Sequence, residues 1–350
     1  MLRAFSKTLI FFCFMYQGLS CRHERQTERA FYFWKSVLKL NDFERRTLTE
    51  QAVSRLYIKF FDVTWNAQLN GASPAARLDI EDRTKKWIDT NHILIIPTVF
   101  ITNETIRNSN SASIIKLSLQ ISSLINDMLQ SKGFERTQEI QIDCDWTGET
   151  RDRYFTLLEE LRSAFSVKNI KLSATIRLYQ CKYRDKTGVP PVDRGLLMCY
   201  NMGNLKDPKS DNSIIEASEL EKYVASLSSY PLNLDVALPL FEWKVLFRNN
   251  SYSGLIQDLN DSLLLNPPIA KSETNRFEIL TDTILSGYEL KKGDILRNEK
   301  SNYDEIIKSA ALISSRMKND KLTLSLYHLD STTLSNFNRN ELENIYNSLH

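Results

Sequence analysis

The chain has 350 residues, of which 42% are hydrophobic and 25% are charged, so its apolar side chains suffice for a large core. The formal net charge is +2 and no long run of like charges occurs, which excludes the concentrated basic face that nucleic-acid binding requires. The length suits one large barrel as well as two average domains.

The first 20 residues have the layout of a signal peptide. Arg3 and Lys7 precede the apolar run 9–16, which is too short to span a bilayer, and small residues follow it. We therefore expect an exported protein from which residues 1–20 are removed. A buried N-terminal strand or helix is the alternative interpretation of the same residues.

Cys21 stands where a bacterial lipoprotein carries its lipid. The preceding tripeptide Gly18-Leu19-Ser20 resembles a lipobox, although Leu19 occupies a position where a small residue is usual. We expect lipidation at Cys21 and hence a membrane anchor in the cell envelope, with residues 21–29 as a tether. Simple secretion is the alternative.

From residue 30 onward, strand-like and helix-like segments alternate, which is typical of parallel βα units. Pro97 predicts a break inside the third strand-like segment, with the barrel strand starting after it. Eight strands predict an α/β fold, a TIM (β/α)8 barrel over residues 30–350. An open doubly wound sheet is the competing fold, but the glycine-rich phosphate turn of its nucleotide-binding form is absent. The eight strand-like segments are 30–34, 56–62, 93–101, 139–146, 171–178, 195–201, 234–241 and 322–328.

Two connections are irregular. Residues 179–193 lack helical periodicity, so we expect a long loop on the active rim. Residues 245–302 form an insertion between strands 7 and 8. Within it, 277–280 and 287–296 resemble short strands, with a turn at 292–294, and predict a small β-rich insertion packed on the barrel.

The C-terminal ends of parallel barrel strands point into one shared cleft. Aromatic faces stack on sugar rings, carboxylates and amides bind hydroxyl groups, and two carboxyl groups can share the acid and base work of glycoside cleavage. We therefore expect a glycan as the partner. The residues predicted at these strand ends are Trp34, Asp62, Asn103, Asp143, Asp145, Arg177, Tyr200, Asn201, Glu242, Trp243 and His328.

The acids are the candidate catalytic groups. Asp143 and Asp145 leave the same face of one strand, with α-carbons roughly 6–7 Å apart, so one of them can hold its proton near neutral pH. Glu242 is the expected carboxylate across the cleft. The structural alternative is that Asp145 caps the following helix, Asp143 pairs with Arg177 or Lys59, and Glu242 is an exposed loop residue.

Metal and cofactor chemistry has no support in the sequence. The four histidines are widely dispersed, and the mature cysteines other than Cys21 show no metal-ligand spacing. Those cysteines, Cys144, Cys181 and Cys199, are expected to be small buried hydrophobes. We expect no cofactor and no metal.

The order of these features resembles the barrel of family 18 chitinase-like glycoside hydrolases. That family carries Asp-x-Asp-x-Glu at the end of strand 4, Met-x-Tyr-Asp/Asn on strand 6, and a tryptophan on a late strand. The counterparts here are Asp143-Cys-Asp145-Trp-Thr147, Met198-Cys-Tyr-Asn201 and Trp243. The chain as a whole is similar to an uncharacterised group of Bacteroidota envelope proteins over most of residues 30–350.

The resemblance implies that Asp145 takes the place of the assisting aspartate, while Thr147 stands where the proton-donating glutamate belongs. Threonine cannot protonate a leaving oxygen, and general acid catalysis is worth roughly 10²–10⁴-fold. Two hypotheses follow. Asp145 or Glu242 replaces the acid in a glycoside hydrolase-like envelope protein, or the protein is a non-catalytic glycan-binding or scaffold lipoprotein.

Overall fold

The computed structural model describes residues 25–257, 259–265 and 268–349. The expected signal peptide and the lipidation site Cys21 lie outside these residues. Within them, no helix is long and apolar enough to cross a bilayer.

Eight parallel strands form a closed barrel. Each strand pairs with the barrel strands that come before and after it in the sequence. The first strand pairs with both the second and the eighth, which closes the sheet. The predicted α/β TIM barrel is confirmed. The strands are β1 Gln26–Phe33, β2 Arg55–Asn66, β3 Leu94–Ile101, β4 Glu139–Asp143, β5 Lys171–Arg177, β6 Arg194–Met198, β7 Leu234–Pro239 and β8 Lys321–Tyr327.

Two differences from the sequence-based expectation concern β1 and β3. β1 begins at Gln26, where it pairs with Lys321, so residues 26–29 belong to the sheet rather than to a tether. β3 runs through Pro97, which pairs with Ile58, so the predicted break is wrong. The ladder from β3 to β4 begins only at Thr98, so the N–H that proline lacks is not needed on that side.

Helices cover the barrel. The longest, α4, buries residues at helical spacing, including Ile114, Leu117, Ile121 and Ile125, and each such side chain contributes about 1.5–3 kcal/mol. The helices are α1 Asp42–Glu50, α2 Asp82–Thr90, α3 Asn103–Asn108, α4 Ser111–Ser131, α5 Arg151–Ser166, α6 Leu178–Lys182, α7 Arg184–Thr187, α8 Ala217–Val224, α9 Asp261–Leu265, α10 Tyr303–Ser314, α11 Ser331–Leu334 and α12 Arg339–Tyr346.

The segment 179–193 is not the loop that its pattern indicates. It contains most of α6 and all of α7, which are too short to show helical periodicity. The short strand Gly71–Ala75 pairs antiparallel with the end of β2 and extends that strand as a hairpin.

A β-rich insertion lies between β7 and β8, as predicted. Its five antiparallel strands pack around a small apolar cluster of their own that includes Leu246, Ile256 and Leu296. The second strand in sheet order begins at Glu242. This acid is exposed, as the structural alternative expects, but is a strand residue rather than a loop residue. In sheet order the strands are Ser251–Ile256, Glu242–Arg248, Ile295–Lys300, Arg276–Ile279 and Ala270–Glu273, with a separate hairpin of Thr283–Leu285 and Tyr288–Leu290.

Candidate functional site

A cavity of about 520 Å³ opens at the C-terminal ends of the barrel strands. This volume lies within the range of small-molecule sites, roughly 300–1,000 Å³. The insertion contributes one wall through Glu242, Trp243 and Gln257. The lining residues are Trp34, Lys35, Phe100, Asp143, Asp145, Arg177, Met198, Tyr200, Asn201, Phe241, Glu242, Trp243, Gln257, Tyr327, His328, Asp330 and Thr333.

Most of the residues proposed from the sequence lie together in this cavity. Asp62 and Asn103 do not line it. The Asp62 carboxylate pairs with Lys59, with Nζ 3.0 Å from Oδ2, and the Asn103 side chain at the start of α3 accepts a hydrogen bond from Thr150. The residues brought together are Trp34, Asp143, Asp145, Arg177, Tyr200, Asn201, Glu242, Trp243 and His328.

Aromatic rings form a continuous wall centred on Tyr327, the last residue of β8. Its ring stacks with that of Tyr200, with centroids 5.3 Å apart. Trp34 and Phe241 contact it at 5.8 and 5.7 Å, and Phe241 contacts Trp243 at 5.1 Å. These faces form an apolar platform of the kind on which a sugar ring stacks.

Asp143, the last residue of β4, is partly buried in the cavity. Its Oδ1 accepts a hydrogen bond from the Thr175 hydroxyl at 2.6 Å. Burial raises the pKa of Asp143 to about 7, and the negative charge of Asp145 adds to this; the Thr175 hydrogen bond and the Arg177 charge oppose it. The cavity therefore contains a carboxyl group that is close to half-protonated at neutral pH.

Asp145 forms an ion pair with Arg177. The distance from Arg177 Nε to Asp145 Oδ1 is 2.7 Å, and both side chains are nearly half exposed, so water screens the pair. The structural alternative for the two acids is thus not what the molecule adopts. Lys59 pairs with Asp62, Arg177 pairs with Asp145, and the residue that precedes α5 is Thr150.

The chain turns away from the cavity after Asp145. Trp146 is buried; its indole N–H donates to the Thr187 carbonyl at 2.8 Å, and its own carbonyl accepts from Gln180 at 2.9 Å. Thr147 is exposed, and its backbone N–H donates to Thr150 Oγ1. Thr147 does not line the cavity, so this segment places no acid there.

Trp243 is held by a buried network from the insertion. Its indole N–H donates to Glu299 Oε2 at 2.8 Å, and the same oxygen accepts from Ser213. Arg297 pairs with Glu299 Oε1 at 2.6 Å, with both side chains fully buried, and Arg297 also donates to backbone carbonyls, including that of Leu205. This network holds the Trp243 ring in position, and that ring is part of the cavity wall that the insertion contributes.

Several residues that line the cavity or hold its side chains in place were not predicted from the sequence. Glu299 and Arg297 lie two residues apart on one face of the insertion strand Ile295–Lys300, and two opposite charges at that spacing are the signal that could have found them. Lys35 and Asp330 form an ion pair at the rim. Tyr327 directly precedes the predicted His328 and stood within the predicted eighth strand.

In the part of the chain that the structure describes, no group of three or more histidine, cysteine or acidic residues could hold a metal ion. Cys144, Cys181 and Cys199 are buried and form no disulfide. Burial raises the pKa of the Cys144 thiol well above its ordinary value, so it is a poor nucleophile.

No family model matches the sequence, and no curated protein matches it. Solved structures match the fold. The Bacillus cereus spore cortex-lytic enzyme SleL is 13% identical, with 93% of this chain and 75% of that chain covered and a TM-score of 0.54. A chitinase from Chromobacterium violaceum is also 13% identical, covering 88% and 97% with a TM-score of 0.54.

The catalytic domain 2 of the Ostrinia furnacalis group II chitinase is similar as well. This mutant structure, in complex with an N-acetylglucosamine oligosaccharide, is 11% identical, with 92% of this chain and 96% of that chain covered and a TM-score of 0.53. At such identities the likeness establishes the fold alone. The chain therefore has a chitinase-like TIM barrel.

Proposed function

We propose that the protein binds a glycan in the barrel cavity, as a chitinase-like protein of the cell envelope that recognises its sugar without cleaving it. The aromatic wall around Tyr327 supports this most directly, because stacked rings bordered by polar groups match the two kinds of surface that a sugar presents. Arg177, Asn201 and Glu242 supply polar groups for hydroxyl or amide contacts, and Trp243 stacks on the ring.

The absence of cleavage follows from where the acids lie. The acid position implied by the chitinase resemblance is Thr147, which does not line the cavity. Asp145, at the assisting position, is engaged by Arg177. A sugar therefore meets no carboxylic acid at the place where that family protonates the leaving oxygen.

Hydrolysis is the second candidate, and one observation favours it. The raised pKa of Asp143, about 7, leaves a proton on a cavity carboxyl near neutral pH, which is where a general acid works best. Glu242 or Asp145 would then be the second carboxylate. Under this alternative the Asp143 side chain must reach the glycosidic oxygen from the end of β4.

The substrate class and location are part of the proposal. The similar structures include chitinases and a cortex-lytic enzyme, one of them bound to an N-acetylglucosamine oligosaccharide. We therefore propose a β-linked, N-acetylated glycan as the ligand. The lipobox-like segment before Cys21 and the resemblance to Bacteroidota envelope proteins support a membrane-anchored lipoprotein.

The test is titration of N-acetylated oligosaccharides into the purified full chain by calorimetry, with chromatography of the same samples for cleavage products. Trp243→Ala should abolish binding, whereas Tyr179→Ala, which removes an exposed ring outside the cavity lining, should not. Binding without products supports the first proposal. Products that vanish in Asp143→Asn support hydrolysis, and absence of any saccharide binding contradicts both.

A further inference from the structure

A second cavity of about 430 Å³ lies on the outside of the barrel. It is a groove between helix α4 and the hairpin formed by the end of β2 and the strand Gly71–Ala75. It shares no lining residue with the sugar cavity. Its lining consists of Phe61, Val63, Ala72, Ser73, Pro74, Arg77, Lys116, Leu117, Leu119, Gln120, Ile121, Ser123, Leu124 and Asp127.

The groove has an apolar floor that is already buried. Leu117 and Ile121 on α4 and Phe61 and Val63 on β2 are at most 5% exposed. The half-buried Leu124 follows Leu117 and Ile121 at helical spacing. Leu119, also in the lining, is 64% exposed. An apolar channel of this volume, open to water, is of the size of small-molecule sites and larger than the packing gaps found between well-packed elements.

Two cations border the groove from opposite sides, Arg77 on the hairpin side and Lys116 on the helix side. Both are exposed. Neither forms a hydrogen bond or ion pair with any residue in the described ranges, whereas Lys59, Lys85 and Arg177 each pair with an acid. They leave a positive charge beside an apolar channel.

Asp127 is the one acidic residue of the lining. It lies eleven residues after Lys116 on α4, which places it roughly 16 Å farther along the helix axis. The charge of the groove is therefore divided, with its cationic part at the Lys116 end. A ligand that satisfies this arrangement has an anionic group at one end and an apolar body.

We infer that this groove binds a free single-chain anionic amphiphile, such as a fatty acid, with its head group at Arg77 and Lys116 and its acyl chain along Leu117 and Leu124. Charge complementarity specifies the head group, because a carboxylate offers both cations charge-assisted hydrogen bonds. The apolar walls specify the chain, since each buried methylene contributes about 0.8 kcal/mol. The volume suits one chain rather than a two-chain lipid.

The experiment is calorimetric titration of decanoate into the full chain, beside decanol and butyrate. Decanoate should bind with one-to-one stoichiometry, and decanol and butyrate should bind more weakly, because the first lacks the charge and the second lacks the chain. The Arg77→Gln/Lys116→Gln variant should lose roughly tenfold or more in affinity. Arg316→Gln/Lys318→Gln removes one arginine and one lysine at exposed positions outside the lining; it is the matched control and should bind as the parent does.

A second pair of variants tests the channel itself. Ser123 is exposed and lines the groove, so Ser123→Trp should fill it and remove decanoate binding, while Ser123→Ala should retain it. Thermal unfolding checks that both variants fold. The inference is overturned by equal affinity for decanol and decanoate, by undiminished binding in the double or Ser123→Trp variants, or by absence of saturable binding. It is also overturned if decanoate does not bind and the parent sediments with anionic vesicles while the Arg77→Gln/Lys116→Gln variant does not.

Discussion

Asp143→Asn should change how the stability of the protein depends on pH. The pKa of Asp143 is raised in the folded chain from 3.8 to about 7, chiefly by burial. A carboxyl group whose folded pKa is raised stabilises the fold only while protonated. Its contribution is fully present below the unfolded value and is lost as the pH rises through the folded value.

The size of the effect follows from the shift. About three units at 1.36 kcal/mol each correspond to a loss of about 4 kcal/mol between pH 4 and pH 8. Asparagine keeps the shape of the side chain and an oxygen that can accept from Thr175, but it has no proton to lose. Relative to the parent, Asp143→Asn should therefore gain stability steadily across this range and then level off.

The assay is urea unfolding of both proteins at half-unit pH intervals, compared as the difference in free energy of unfolding. Taking the difference cancels the contributions of other titrating groups to the free energy of unfolding. Asp235 is one of these groups, because burial also raises its pKa to about 7. Asp185→Asn, at an exposed position, controls for the loss of one carboxylate. A difference that is flat between pH 4 and pH 8 would refute the electrostatic description of the cavity.

The other variants test the surroundings of the cavity and the core. Glu299→Gln leaves the buried Arg297 without its carboxylate and should cost about 3–5 kcal/mol in urea unfolding. Arg177→Gln should change stability by less than about 1 kcal/mol, because its pair with Asp145 is solvent-screened, yet raise the pKa of Asp143, measurable by carboxyl NMR titration, because the Arg177 charge lowers it. Ile121→Ala should destabilise the protein by about 2–5 kcal/mol in the same urea assay.

The barrel could be predicted from the sequence because its strands carry a local signal. β4 (EIQID) and β5 (KLSATIR) alternate polar and apolar residues, and β7 (LDVALP) is mostly apolar. Both patterns are typical of short strands between helical segments. The predicted break at Pro97 was wrong because the missing N–H of a proline matters only where the neighbouring strand needs a hydrogen bond from that residue. The ladder that would have needed that N–H starts one residue later.

The residues that line the cavity could be predicted from the sequence only in part. Strand ends locate Asp143 and Arg177, since parallel strands place their carboxyl ends on one rim. Asp62 was predicted at such an end, but β2 continues to Asn66, and the Asp62 side chain pairs with Lys59 three residues earlier. Glu299 is distant in sequence from every predicted site residue, and only the insertion's fold brings it to Trp243.

The proposal of binding without cleavage depends in part on a contact that the sequence could not reveal. Asp143, Asp145 and Arg177 were all expected at the rim, but the sequence does not show which acid pairs with the arginine and which is more deeply buried. The guanidinium pairs with the more exposed Asp145, and Asp143 stays in the less polar position with a pKa of about 7. If Arg177→Gln cleaved a saccharide that the parent was found only to bind, the ion pair would be what prevents cleavage in the parent. If it produced none while binding persisted, the missing donor at Thr147 would be the sufficient reason.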